Sequence, residues 1–148
     1  MTNTPKPTLY DQDFHLWLEE TAALLKAGKF EKLDVENLVE EIECMGRSEK
    51  KSVESNLEVI LVHLLKYKYQ PEKRSNSWRV TLLEHRRRLK RDFRISPSLK
   101  RYFLETFAEC YQGARKLASV ETEMTITTFP VASPFTPEQV LDEDFLPE

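Results

Sequence analysis

Four glutamates, Glu36, Glu40, Glu41 and Glu43, crowd one short stretch of this 148-residue chain, and His63 follows twenty residues after the last of them. Carboxylates three and four residues apart share a helix face, and a bundle interior can hold a metal between such a face and a histidine. Glu40, Glu43 and His63 would then serve a metal-dependent hydrolase or nuclease. The spacing argues against it. A di-iron bundle carries Glu-x-x-His pairs, and none of His15, His63 or His85 has a glutamate three residues before it. A helical pyrophosphohydrolase follows Glu-x-x-Glu with a second such pair; Glu40-x-x-Glu43 is present, but Glu54-x-x-x-Glu58 is one residue too wide. The acidic face is therefore read as solvated or paired with arginines, with no metal and no cofactor.

Charge is unevenly placed along the chain. Residues 1–70, 71–101 and 102–148 carry net charges of −4, +8 and −7, which leaves only −3 overall. In the basic middle, Arg74, Arg79, Arg86, Arg87, Arg88 and Arg91 form a candidate partner-binding set, because guanidinium forks suit carboxylates and phosphates alike. Nucleic-acid modules usually add an overall basic domain and interleaved exposed aromatics, which this chain lacks. Internal pairing with Glu40, Glu41 and Glu43 or with the acidic tail competes for the same arginines. At 100° per residue they cannot all face one way, so some pair inside and some are left for solvent or a partner.

His63 and His85 lie among apolar positions and are expected to be buried, hydrogen-bonded core histidines, since an unpaired buried imidazole costs about 1–3 kcal/mol. Tyr67, Tyr69, Gln70, Ser77 and Trp78 gather around a turn. With Glu40, Glu43 and His63, Tyr67, Gln70 and Trp78 make up a candidate pocket. Cys44 and Cys110 belong to no Cys-x-x-Cys pattern, have no basic motif beside them and occupy core-like positions, so both are expected to be buried thiols. No Walker loop, dinucleotide fingerprint or nucleophile elbow is present.

The elements that must position these groups are helices. Asp11 and Asp13 start one whose apolar face is Phe14, Trp17, Leu18, Leu24 and Leu25, closed by Gly28. Asp34 caps a second, Val35 to Met45, with Leu38, Ile42 and Met45 toward the core; Gly46 ends or bends it, or the helix runs on unbroken. From Ser48 to the residue before Pro71, Val53, Leu57, Ile60, Leu61 and Leu64 mark a long helix, apolar all round at Val59–Leu65 and hence central. Trp78, Leu82, His85, Leu89 and Phe93 mark a fourth helix. Leu99, Phe103, Phe107, Cys110, Ala114 and Leu117 mark a fifth. From Glu121 the periodicity stops, apart from a capping box at Thr136–Gln139. The expected fold is all-α: a single domain over 1–148, an up-and-down bundle of about five helices, with residues 1–9 disordered or extended and 121–148 an extended tail wrapping it. A chain this long buries roughly 70% of its unfolded surface, so no disulfide or metal is needed for stability. No run of about 18 apolar residues occurs, and a cytoplasmic location off the membrane is the default expectation.

Tyr10-Asp11-x-Asp13-Phe14-x-x-Trp17-Leu18, Leu38 to Glu43, Gly46-Arg47-Ser48-Glu49, His63 to Lys66, Tyr69-Gln70-Pro71, Ser77-Trp78 and Asp142 to Pro147 occur here in unbroken order. Together they resemble the domain of unknown function 29 family. The resemblance implies small, helical, mostly bacterial and largely cyanobacterial proteins with no established activity or cofactor. The residues themselves favour a non-catalytic interaction protein that uses its arginine-rich helix toward a protein partner or a second copy of itself. A metal-dependent hydrolase with Glu40, Glu43 and His63 and a nucleic-acid binder are the alternatives.

Overall fold

The computed structural model describes residues 7–148. They form six α-helices: α1 Leu9–Gln12, α2 Phe14–Lys26, α3 Val35–Tyr69, α4 Asn76–Ile95, α5 Ser98–Thr122 and α6 Pro137–Leu141. No strand occurs among the described residues, and none of their helices is long and apolar enough to cross a membrane. The fold is an all-α helical bundle. By packing, the chain divides into two compact units, residues 1–47 and 48–148. Of the N-terminal stretch expected to be disordered or extended, residues 1–6 lie outside the described residues; Thr8 caps α1, which begins at Leu9.

Within the first unit, Asp13 leaves helical geometry, and its carboxylate accepts from the Leu16 amide at 3.0 Å, which starts α2. Gly28, at φ +71°, closes it in the left-handed conformation that costs glycine nothing. Tyr10 stands edge-on to Trp17 and donates to Glu41 Oε1 at 2.7 Å, a hydrogen bond that pushes its phenol up to about 12. Only Trp17 and Thr21 of α2 are buried. The expected core face is thus corrected: Phe14, Leu18 and Leu25 are exposed, as are Ile42 and Met45 on α3. Cys44, expected inside, is exposed as well.

α3 passes through Gly46 without a break. The reason is register: Ile42 and Val53 are eleven residues apart, about three full turns, so the apolar phase carries across the glycine, whose helical cost is only about 1 kcal/mol. In the second unit this helix is central, as its all-round apolar run predicts. Val53, Leu57, Ile60, Leu61, Leu64 and Leu65 are fully buried against Leu82 and Leu89 of α4, Phe103, Phe107, Ala114 and Ala118 of α5, and Phe129, Phe135 and Val140 of the tail. Leu117, counted toward that core by its spacing, is exposed.

The C-terminal wrap has more structure than an extended tail: a 3-10 turn at Ile126–Thr128 and then α6, started by the expected capping box of Thr136 and Gln139. Side chains of α5 fasten its backbone. Tyr111 Oη donates to the Pro130 carbonyl at 2.5 Å, Gln112 to that of Val131 at 2.6 Å and Arg115 to that of Phe129 at 3.0 Å. Irregular chain without a ladder of its own needs such donors when it lies on a core.

Candidate functional site

On α4 the helical period sorts the cations. Val80, Glu84, Arg87, Arg91 and Arg94 fall within about 80° of one another at 100° per residue, with Arg88 and Lys90 at the edges. Leu82 and Leu89 point the other way, into the core. Arg86 turns away from the basic face too. It is only 1% exposed, which corrects its expected place on the contact surface. Its Nε donates to the Val140 carbonyl at 2.8 Å, one terminal nitrogen to Phe145 at 2.9 Å and the other to Gln139 at 3.1 Å. Burial lowers its pKa, and Asp142 and Glu143 act in the opposite direction. A guanidinium has the donors for three carbonyls at once, so Arg86 closes the C-terminal end of α6.

Two further arginines of the candidate set serve the fold. Arg74 donates to the Tyr67 carbonyl at 2.8 Å and to the Pro147 carbonyl at 3.4 Å, and its guanidinium lies 4.3 Å from the centre of the Tyr67 ring. Arg79 reaches the Tyr67 hydroxyl at 3.4 Å. Internal pairing therefore takes Arg74, Arg79 and Arg86, partly through backbone carbonyls rather than carboxylates.

The remaining cations line an open groove of about 880 Å³ formed by Val80, Leu83, Glu84, Arg87, Arg88, Lys90, Arg91, Arg94 and Glu143. Five cations meet two carboxylates there. Glu143, from the tail, sits 3.8 Å from both Arg87 and Lys90, and Glu84 lies 3.3 Å from Arg88 one turn along. Arg91 and Arg94 are exposed and form no ion pair among the described residues. Val80, 61% exposed, gives the groove an apolar edge.

Arg47 binds Glu40 at 2.8 Å and approaches Glu43 at 4.0 Å, so two carboxylates of the acidic cluster pair with an arginine of their own helix. Along α3, twenty residues separate Glu43 from His63; Glu40 and Glu43 belong to the first unit and His63 to the second. Among the described residues no group of three or more His, Cys, Asp or Glu is placed to hold a metal.

His63 and His85 are half-buried, not fully buried as their apolar surroundings suggest. His63 Nδ1 donates to the Val59 carbonyl at 2.8 Å. Asn56 gives its amide to the Ser52 carbonyl at 2.9 Å, so its oxygen accepts from His85 Nδ1 at 2.7 Å. Both neutral rings are thereby held as the tautomer that leaves Nε2 without a proton. Burial lowers both pKa values; Lys66 adds to this at His63, and Arg88 and His63 itself at His85. Nearby, Tyr67 and Gln70 are buried, and Lys66 covers the Trp78 ring at 5.1 Å. The open recess at this turn, about 340 Å³, is lined instead by Arg74, Ser75, Asn76 and Arg79. Sequence reasoning missed Asn56 and Glu143. An asparagine one turn before the all-apolar run was the available signal for the first, and the acidic tail for the second.

The family model described as "Domain of unknown function DUF29" matches residues 9–146. Neither the curated proteins nor the solved structures contain a match to the chain.

Proposed function

The chain belongs to the DUF29 family, and from that membership, which carries no activity with it, we propose a non-catalytic binding module whose α4 groove docks an acidic segment of a protein partner. The observation that carries this reading is Glu143. One tail carboxylate already occupies one edge of the groove, between Arg87 and Lys90, while Arg91 and Arg94 continue the same face with no carboxylate against them among the described residues. A partner strand bearing Asp or Glu beside an aliphatic or aromatic residue would extend that pattern, with Val80 and Leu83 receiving the apolar side chain. Paired guanidinium forks suit carboxylates in this arrangement. Glu84 and Glu143 within the lining weigh against a phosphate backbone, which favours an uninterrupted basic track. The setting we propose is the bacterial cytoplasm, on the strength of the sequence resemblance.

Fluorescence anisotropy with a short labelled peptide rich in Asp, Glu and Phe tests the proposal, with duplex DNA and single-stranded RNA as parallel probes. The peptide is expected to bind, and Arg91→Glu with Arg94→Glu to weaken it at least about tenfold, which is about 1.4 kcal/mol, at unchanged melting temperature. Tighter binding of either nucleic acid, with a steep salt dependence, would replace this reading with the nucleic-acid one.

A further inference from the structure

The tail offers an acid of its own to the groove that the proposed partner fills. Asp142 to Phe145 form a turn, in which the Phe145 amide donates to the Asp142 carbonyl at 3.1 Å and the Asp144 amide to Asp142 Oδ1 at 2.9 Å. The aspartate side chain fixes such a turn much as a backbone carbonyl would, and Glu143 stands at its tip. On either side of that tip the chain is anchored. Arg86 binds the carbonyls of Val140 and Phe145, the Val140 side chain is fully buried, and the Phe145 ring stands edge-on to the buried Phe135 with centres 6.2 Å apart.

The Glu143 side chain is held far more weakly than the turn that carries it. Its carboxylate lies 3.8 Å from Arg87 Nε and 3.8 Å from Lys90 Nζ, too far for a hydrogen bond to either, and those cations are 69% and 49% exposed. Exposed pairs of this kind are weak and easily screened. The tether offsets part of that weakness, because it keeps the carboxylate beside the groove at a high effective concentration. A fixed backbone under a loosely paired acid is the arrangement of a displaceable competitor. We propose that Glu143 is a built-in competitor for the α4 groove, which an incoming acidic segment displaces from Arg87 and Lys90 while the Arg86 clamp keeps the tail in place. This rests on the docking reading above and adds its regulation. Arg91 and Arg94 give a ligand its first hold, and only a ligand with further acid gains Arg87 and Lys90.

Fluorescence anisotropy with the labelled acidic peptide, on the wild type and two full-chain variants, tests it. Glu143→Gln removes the competitor. Asp144→Asn removes the same charge one residue along, from an exposed side chain outside the groove lining. Glu143→Gln is expected to bind the peptide about three- to tenfold more tightly than the wild type, and Asp144→Asn within about twofold of it. In the isotopically labelled wild type, saturating peptide should shift the Glu143 side-chain carboxyl carbon and leave the Arg86 Nε–H signal in place; loss of that signal would overturn the fixed tail. Equal affinity of the wild type and Glu143→Gln, an equal gain in both variants, or weaker binding by Glu143→Gln would overturn the competitor and leave the docking site standing. Peptide binding to neither the wild type nor Glu143→Gln would overturn the docking reading and the competitor with it.

Discussion

At the scale of single residues, Arg86 ties α4 to the C-terminal segment through three hydrogen bonds. Its charge is buried with three backbone carbonyls of the C-terminal segment as its partners. Removing one side of a buried, charge-assisted set strands the other, and Arg86→Met is expected to cost about 3–5 kcal/mol in urea unfolding. Arg86→Lys keeps the charge but lacks the fork, so it should recover only part of that loss. A neutral effect of Arg86→Met would show that the tail does not depend on this clamp. The histidines give a pH dependence with a definite sign. Both folded-state pKa values lie below the ordinary imidazole value of 6.5, chiefly because of burial. As pH falls below that value the unfolded chain takes up protons that the folded chain resists, so stability falls; above it this contribution is flat. Lys66 and Arg88 work in the same direction as burial, and Glu121 and Glu84 against it. Urea midpoints at pH 7.5 and 5.5 should differ in the wild type and converge in His63→Gln/His85→Gln. A difference that persists in the double variant would assign the effect to other groups.

Among the elements, α3 shows how far the sequence could be read. The run Val59–Leu65 announced a central helix, and the core residues Val53, Leu57, Ile60, Leu61 and Leu64 followed from their spacing. The same spacing misassigned Ile42 and Met45. Periodicity reports that a helix has an apolar face, not that anything covers it, so the stripe on α3 looked like core. On α4 the period required some arginines to turn inward but did not single out Arg86, which stood with Arg87 and Arg91 in the contact set; only the structure shows that it is an inward one and that it meets carbonyls, because such partners leave no mark on composition. The groove was legible as a basic helix; Glu143 at its edge was not, since a tail without periodicity gives no register. Two outcomes follow for the elements. Leu61→Ala, at a fully buried position of α3, should cost about 2–5 kcal/mol. In native-state hydrogen exchange, amides of 57–65 should open only with global unfolding. Those of α2, where two side chains are buried, should exchange through far smaller openings. Equal protection of both segments would contradict this account of the first unit.

Taken as a whole molecule, the chain has a net charge of only −3, and its bulk charge therefore says little about partners. What distinguishes it is local: five cations gathered on one face of α4, with a tail carboxylate already seated along one edge. Binding at such a site should be electrostatic in onset and weaken with salt, since every charge in it is at least partly exposed. The central claim, that this face docks an acidic segment, is tested most directly by titrating the isotopically labelled full chain with the acidic peptide and following backbone amide shifts. The account predicts saturable changes confined to α4 between Val80 and Arg94 and to the tail around Glu143, abolished by Arg91→Glu with Arg94→Glu. Saturable changes centred instead on His63, Tyr67 and Trp78, or no saturable change at all, would contradict it.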